Sequence, residues 1–297
     1  ETPGIHIAGW YDTFLVGSIE GFLARQLHGA PGARGQQKLV IGPWTHFWPL
    51  TQQLGDFQVP VSGSSPPFDI SPKRWFDHYL RGEDNGVDKL PTVIYYVMGP
   101  FDGDPSRGNV WKTADQWPIP SIPISYYLQS NKTLALTHSP QDSLAYTYDP
   151  NHPIPTLGGN NLFLPSGPVD QRPIESRKDL QLFCSTPLAE DVEITGTPSI
   201  ELWLSSSSQE TDIIVHLTDR YPDGRSILIS EGMQTVRWIP SEAGEKQVQI
   251  LLHPTSFVFA KGHAIGVSIS SSSFPRYEKS HPFSIHSPLV YNTLLFG

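Results

Sequence analysis

The feature that most constrains this chain is a change in the rhythm of its apolar residues close to residue 90. Before that point, strand and helix signals alternate. Ile5-His6-Ile7-Ala8-Gly9 reads as a short buried strand. Phe14, Leu15, Ile19, Phe22, Leu23 and Leu27 then recur at helical spacing as far as a stop at Gly29. Lys38-Leu39-Val40-Ile41-Gly42 reads as a second buried strand. A loop rich in Pro and Trp follows (Pro43 to Pro49), then a polar loop through Gly63-Ser64-Ser65-Pro66-Pro67. Ser71 offers an N-cap with Pro72 in the first turn, opening a helix that carries Trp75, Phe76 and Tyr79 and ends at Gly82. Strand, helix, strand, loop, helix is the order of part of a layered α/β sheet.

From Pro91 onward short β-rich runs take over: Val93–Met98, Ile124–Leu128, Leu180–Cys184, Ser199–Ser205, Ile213–Thr218, Ser226–Ile229, Thr235–Trp238, Lys246–Leu252 and Ala264–Ser270. Turns such as Pro222-Asp223-Gly224 separate them, with no convincing helix between. The 25 glycines and 29 prolines favour turns and short strands in the same way. This half therefore reads as an all-β jelly-roll sandwich, galactose-binding-like in type. The polar stretch Gly82–Pro91 marks the boundary, giving an α/β part at 1–90 and a β-sandwich at 91–297.

Composition removes several function classes. Asp and Glu number 29 against 20 Lys and Arg, a net charge of −9, which argues against a nucleic-acid partner. No run approaches the about 18 apolar residues of a membrane span, so no membrane partner is expected. The single cysteine, Cys184, leaves no disulfide or CxxC pair and reads as a small buried hydrophobe. That cysteine usage suits the cytoplasm without excluding export, so the compartment stays open. His78, His152, His216, His253, His263, His281 and His286 are scattered singly, without paired metal-ligand spacing. Neither a metal nor another cofactor is expected. His263 reads as a packing histidine, Arg172, Glu175 and Arg177 as a structural salt-bridge cluster, and Asp212 as a turn cap.

Two loops directly follow buried strands, where open α/β sheets bind their ligands. Asp12 stands three residues past Gly9, and His46 four past Gly42. An Asp followed by a His, each just after a strand, is the chain order of the last two members of an α/β-hydrolase triad. The chemistry needs an imidazole base and a carboxylate that fixes its tautomer. The competing structural reading makes Asp12 the cap of the helix opening at Thr13, and His46 a loop histidine satisfied by nearby backbone.

The surrounding words decide between these readings. Gly9-Trp10-Tyr11-Asp12-Thr13-Phe14, Leu39-Val40-Ile41-Gly42-Pro43-Trp44-Thr45-His46 and Arg74-Trp75-Phe76-Asp77-His78-Tyr79-Leu80-Arg81-Gly82 closely resemble the CocE/NonD hydrolases. So do Pro155-Thr156-Leu157-Gly158-Gly159, Asp170-Gln171-Arg172-Pro173-Ile174-Glu175, Thr195-Gly196, Tyr221-Pro222-Asp223-Gly224-Arg225 and Ser271-Ser272-Ser273-Phe274-Pro275-Arg276, in the family's C-terminal domain. This superfamily includes cocaine esterase, α-amino-acid ester hydrolases and X-Pro dipeptidyl-peptidases. The resemblance implies that Asp12 is the triad acid and His46 the base. It implies too that Phe14, Leu162 and Phe163 line the acyl pocket, and that homo-oligomers are common. Trp10 and Trp44 are given only a packing role.

One element of that pattern is missing. No Gly-x-Ser-x-Gly or Gly-x-Ser-x-x-Gly elbow occurs in strand–turn–helix context, and Ser65 follows the Asp among prolines. The chain is therefore expected to be the C-terminal portion of a serine hydrolase, an α/β-hydrolase fragment followed by the jelly roll. Its nucleophile would lie on a missing N-terminal segment, and the isolated chain would be inactive. Substrates would be small acyl esters, amides or short peptides. The alternative is a non-catalytic β-sandwich binding or assembly module with a vestigial hydrolase stub.

Overall fold

The computed structural model describes residues 2–101, 107–138, 140–238, 244–279 and 289–296. His281 and His286 lie outside them. The chain opens with β1 (Gly4–Tyr11), α1 (Leu15–His28) and β2 (Gln37–Thr45), then a small hairpin of β3 (Gln53–Leu54) and β4 (Phe57–Gln58). Helix α2 (Pro72–Arg81) starts as its sequence dictates: the Ser71 side chain accepts the Arg74 N–H, and Pro72 occupies the first turn. It stops at Gly82, which takes the left-handed conformation (φ 74°) that glycine adopts without steric cost. Strands β5 (Val93–Val97) and β6 (Val110–Ala114) complete this layer.

The four strands stand in the order β1-β2-β5-β6. β1, β2 and β5 run parallel, and β6 closes the edge antiparallel. All nine residues of β2 are buried, so it reads as a continuous run with no alternation, as a doubly covered parallel strand should. The sequence pattern makes Val93–Met98 the opening strand of the sandwich, and the structure places it elsewhere. It is the third strand of the parallel sheet, reached by the crossover through α2. The sheet that begins at Gly4 runs on to Ala114.

Strands then dominate. They are β7 (Tyr127–Leu128), β8 (Thr133–Ala135), β9 (Asp142–Tyr148), β10 (Leu180–Ser185) after the one-turn α3 (Arg172–Glu175), β11 (Val192–Gly196) and β12 (Ser199–Ser206). β13 (Glu210–Arg220), β14 (Ser226–Arg237), β15 (Lys246–Leu251), β16 (Thr255–Phe259), β17 (Ala264–Ser270) and β18 (Val290–Phe296) follow. They form a six-stranded sheet β14-β13-β17-β10-β8-β7, a four-stranded sheet β15-β12-β18-β9 and the pair β11-β16. The runs 226–229 and 235–238 are parts of one long strand, β14, not two.

One apolar core joins both halves, taking in Leu15, Val40 and Tyr96 from the first sheet and Phe183, Leu204 and Phe257 from the later strands. A backbone bridge continues it: the Met98 N–H donates to Ser256 O (2.9 Å), and the Val258 N–H to Met98 O (2.9 Å).

The β1–β2 ladder contains one irregularity. Gly9 is level with Gly42, yet Tyr11 is level with Thr45, so β2 carries one residue more than β1 across this step. The extra residue brings the Trp44 backbone over Gly9, where a Cβ would lie 2.1 Å from the Trp44 carbonyl oxygen. Gly9→Ala should therefore cost about 1–3 kcal/mol, the usual range for forced overpacking. Gly17→Ala, facing open space on α1, should instead be neutral or stabilising by up to about 1 kcal/mol. Urea midpoints of the two variants test this, and equal midpoints would refute it.

Candidate active site

Parallel pairing brings the C-terminal ends of β1 and β2 to the same edge, and the irregularity sets which residues meet there. One step beyond Tyr11 and Thr45 stand Asp12 and His46. The His46 Nδ1 lies 3.1 Å from Asp12 Oδ1 and 3.2 Å from Oδ2. Asp12 is buried, with its side chain 12% exposed against 39% for His46. Among the described residues nothing hydrogen-bonds His46 Nε2. The ring is thus held at one nitrogen, and the other is left without a hydrogen-bond partner.

Of the two bland readings of this pair, the one for His46 fails and the one for Asp12 holds in part. The N-cap of α1 is Phe14 and makes no side-chain capping bond. Asp12 instead closes a local turn, its Oδ1 accepting the Phe14 N–H (2.9 Å) while the carboxylate faces His46. The His46 ring reaches that carboxylate and not nearby backbone. Phe14, half exposed, meets the His46 ring edge-on at 5.0 Å, and Phe47 does so at 5.8 Å.

The tryptophans are scaffolding, as their sequence context predicts. Trp10 Nε1 donates to Tyr96 O (2.7 Å), and Trp44 Nε1 donates to Gly63 O (2.8 Å). Trp44 also stacks on Trp48 with ring centroids 3.7 Å apart. Tyr11, fully buried, donates to Leu228 O on β14 (3.0 Å), and burial holds its phenol well above the ordinary tyrosine range.

The β-rich half reaches this edge through the segment 155–171. Asn160 Nδ2 donates to the carbonyls of Trp10 (2.9 Å) and Asp12 (3.0 Å). Leu162 and Phe163 follow it; Leu162 is half-buried and Phe163 is 91% exposed. The structure brings Phe14 onto His46. Beside Thr45 and Phe47 lies a cavity of about 360 Å³, lined also by Gln53, Asp56, Leu157 and Leu164.

Other expected features fall differently. Arg172, Glu175 and Arg177 form no common cluster. Arg172 pairs with Asp170, Glu175 with Arg220, and Arg177 with Asp179, because each has a carboxylate or guanidinium partner nearer than its sequence neighbours. Asp212 lies inside β13 and accepts from Thr235 Oγ1 across the strand (2.6 Å), so it caps no turn. Cys184 is only half-buried, and desolvation pushes its thiol up. His263 is a satisfied packing histidine, its Nδ1 3.0 Å from Asp219. Among the described residues no group of three or more His, Cys, Asp or Glu is placed to hold a metal ion, and no helix is long and apolar enough to cross a membrane.

Comparison with known proteins adds the family. A family model described as the X-Pro dipeptidyl-peptidase C-terminal non-catalytic domain matches residues 85–284. Cocaine esterase of Rhodococcus sp. (strain MB1 Bresler) is 35% identical over 302 residues, which cover 94% of this chain and 50% of that protein. An aminopeptidase from the marine sediment archaeon Thaumarchaeota archaeon superposes with TM-score 0.77 at 22% identity, covering 99% of this chain and 52% of its own. A CocE/NonD family hydrolase of Staphylococcus aureus superposes with TM-score 0.65 at 18% identity, covering 100% and 52%. At those identities the structural likenesses speak for the fold alone, and the chain spans about half the length of these relatives. Esterase and peptidase are both hydrolases, and that is the class the sequence matches define. The chain belongs to the CocE/NonD hydrolase family.

Sequence reasoning missed a buried polar group behind the site. Glu231 on β14 is paired in register with His216 on β13, and Arg276 follows β17. Among the described residues neither ring nitrogen of His216 has a hydrogen-bond partner, and Glu231 Oε2 is 3.9 Å from Nε2. Desolvation lowers the His216 pKa below 6.5, with Arg276 acting in the same direction against Glu231 and Glu175. His253, with Nδ1 buried and unpartnered, is lowered too, again chiefly by desolvation.

Because the folded state resists these protons, the unfolded chain binds more of them below about pH 6.5. Stability is then complete above that pH and falls as the pH drops towards 5. Thermal midpoints across pH 5–8 should show the slope, and His216→Gln should flatten it. An unchanged slope in His216→Gln would contradict the assignment.

Proposed function

We propose that this chain supplies the acid and the base of a serine hydrolase acting on acyl esters, amides or short peptides. In this reading the layer up to β6 is the C-terminal part of an α/β-hydrolase sheet, and the strands beyond it form a jelly-roll sandwich. The observation that carries it is the Asp12–His46 pair at adjoining ends of parallel strands, with Nδ1 engaged and Nε2 without a hydrogen-bond partner among the described residues. The 35% identity to a cocaine esterase supports the ester chemistry.

The nucleophilic serine would come from a segment preceding the chain. Among the described residues β1 pairs only with β2, and Ile7 on it is 39% exposed, so an edge is open where such a segment can add a strand. The serine Oγ would attack the acyl carbon while His46 Nε2 takes its proton. Asp12 holds the Nδ1–H and stabilises the imidazolium. His46 then returns the proton to the leaving alcohol or amine, and water releases the acyl group by the same two transfers. Phe14, with Leu162 and Phe163, would present an apolar wall to the acyl group, and no step needs a cofactor. The description of residues 85–284 as non-catalytic is compatible with this mechanism, since Asp12 and His46 precede them. It leaves a binding or assembly role open for the β-rich half itself.

The full-length protein treated with a fluorophosphonate should gain one adduct, on a serine upstream of this chain, while this chain alone gains none. His46→Ala in the full-length protein should lower ester turnover by at least about 10³-fold. Undiminished turnover in that variant would end the hydrolase reading.

A further inference from the structure

Asn160, 1% exposed, donates both of its amide hydrogens to one short stretch of chain. Its acceptors are the carbonyls of Trp10 and Asp12, at 2.9 and 3.0 Å. Trp10 is the residue at which the β1–β2 register shifts, and the Asp12 carbonyl also accepts the Leu15 N–H that starts α1 (3.1 Å). Asn160 therefore grips the turn that carries Asp12 on both sides of Tyr11.

Asn160 is itself held from behind. Its N–H donates to Glu231 Oε1 (2.9 Å), and its carbonyl accepts from Arg276 Nη1. The same Nη1 donates to Asn161 Oδ1 (2.8 Å), and Arg276 Nε lies 3.2 Å from Glu231 Oε1. The side chains of Glu231 and Arg276 are 1% and 13% exposed. Gly159 makes the fit possible: its φ is +90°, and a Cβ there would lie 2.1 Å from Glu231 Oε1. Burying such a pair carries a desolvation cost that rarely leaves a net gain in stability. What this pair does achieve is a fixed position for Asn160.

We propose that Asn160, clamped by Glu231 and Arg276, is a positioning residue for the Asp12–His46 pair. By fixing the backbone on either side of Tyr11 it sets the direction in which the Asp12 carboxylate faces Nδ1. Asn160, Glu231 and Arg276 all lie within residues 85–284, the part whose family description is non-catalytic. The consequence for turnover rests on the hydrolase reading, whereas the consequence for the Asp12–His46 hydrogen bond does not.

The test separates the two. In this chain, the low-field proton resonance of the hydrogen-bonded His46 Nδ1–H is identified by its absence in His46→Ala. Asn160→Ala should shift it upfield or abolish it while the circular dichroism spectrum is kept. Asn160→Ser, which retains one donor, should fall between. A resonance at its original position in Asn160→Ala overturns the proposal, and should that variant not fold, the same result in Asn160→Ser does so. In the full-length protein Asn160→Ala should lower kcat on the order of 10²-fold with KM little changed, the scale of a small misplacement of a catalytic group. Asn160→Ser should recover part of it, and an unchanged kcat in Asn160→Ala would also overturn the proposal. If His46→Ala leaves full-length turnover intact, the hydrolase reading fails, and the resonance still decides the positioning.

Discussion

The register between β1 and β2 is the constraint from which the site follows. Parallel strands end at the same edge, so two short loops meet without any long-range closure beyond the crossover itself. The one extra residue on β2 then decides the partner: with an even register Asp12 would face Thr45, and His46 would lie a step further on. Slippage is resisted by the packing of Trp44. Its backbone crosses Gly9, and its ring sits where a Cβ at Gly42 would fall only 2.3 Å away. Stacking on Trp48 and the bond from Nε1 to Gly63 O pin that ring in place. Two glycines and two tryptophans thus convert a strand pairing into the alignment of Asp12 with His46.

The β-rich half is built into this edge, not hung beside it. Tyr11 donates to Leu228, Asn160 donates to Trp10 and Asp12, and Met98 exchanges backbone bonds with the β16 strand. Each such bond contributes only about 1 kcal/mol net, yet leaving a buried partner unsatisfied costs about 1–3 kcal/mol. Separating the halves would orphan several groups at once and open a core that is continuous across them. A division at residue 90 looks natural in the sequence because the apolar rhythm changes there. The parallel strand β5 and the shared core show that packing does not follow that change.

What was legible in the sequence was local. Ser71, Pro72 and Gly82 wrote the limits of α2 in capping chemistry, and the unbroken apolar run of β2 announced a strand covered on both faces. Asp12 and His46 were legible because each follows a strand within a few residues, and the family words weighed against the capping alternative. β6 and β9 were not, since half-exposed edge strands carry little clean alternation. Asn160, Glu231 and Arg276 were invisible for a different reason. Their meaning lies in contacts across 71 to 150 positions of chain, and nothing in a local window marks an amide that will be buried against a carbonyl. The paired Gly158-Gly159 was the one local sign, and it marked a turn, not its purpose.

The unequal exposure of Asp12 and His46 explains why so much scaffold stands behind one of them. An ion pair or charge-assisted bond open to solvent is worth about 0–1 kcal/mol, too little to hold two side chains in one geometry. With His46 more than a third exposed, its attraction to Asp12 cannot enforce the alignment. The alignment has to be imposed on the backbone. Asp12 is accordingly fixed through the Phe14 N–H, the Leu15 N–H and the Asn160 amide, while His46 is held by one nitrogen and aromatic edges. Covering the open side of His46 would lower the local dielectric and strengthen the same hydrogen bond without moving an atom.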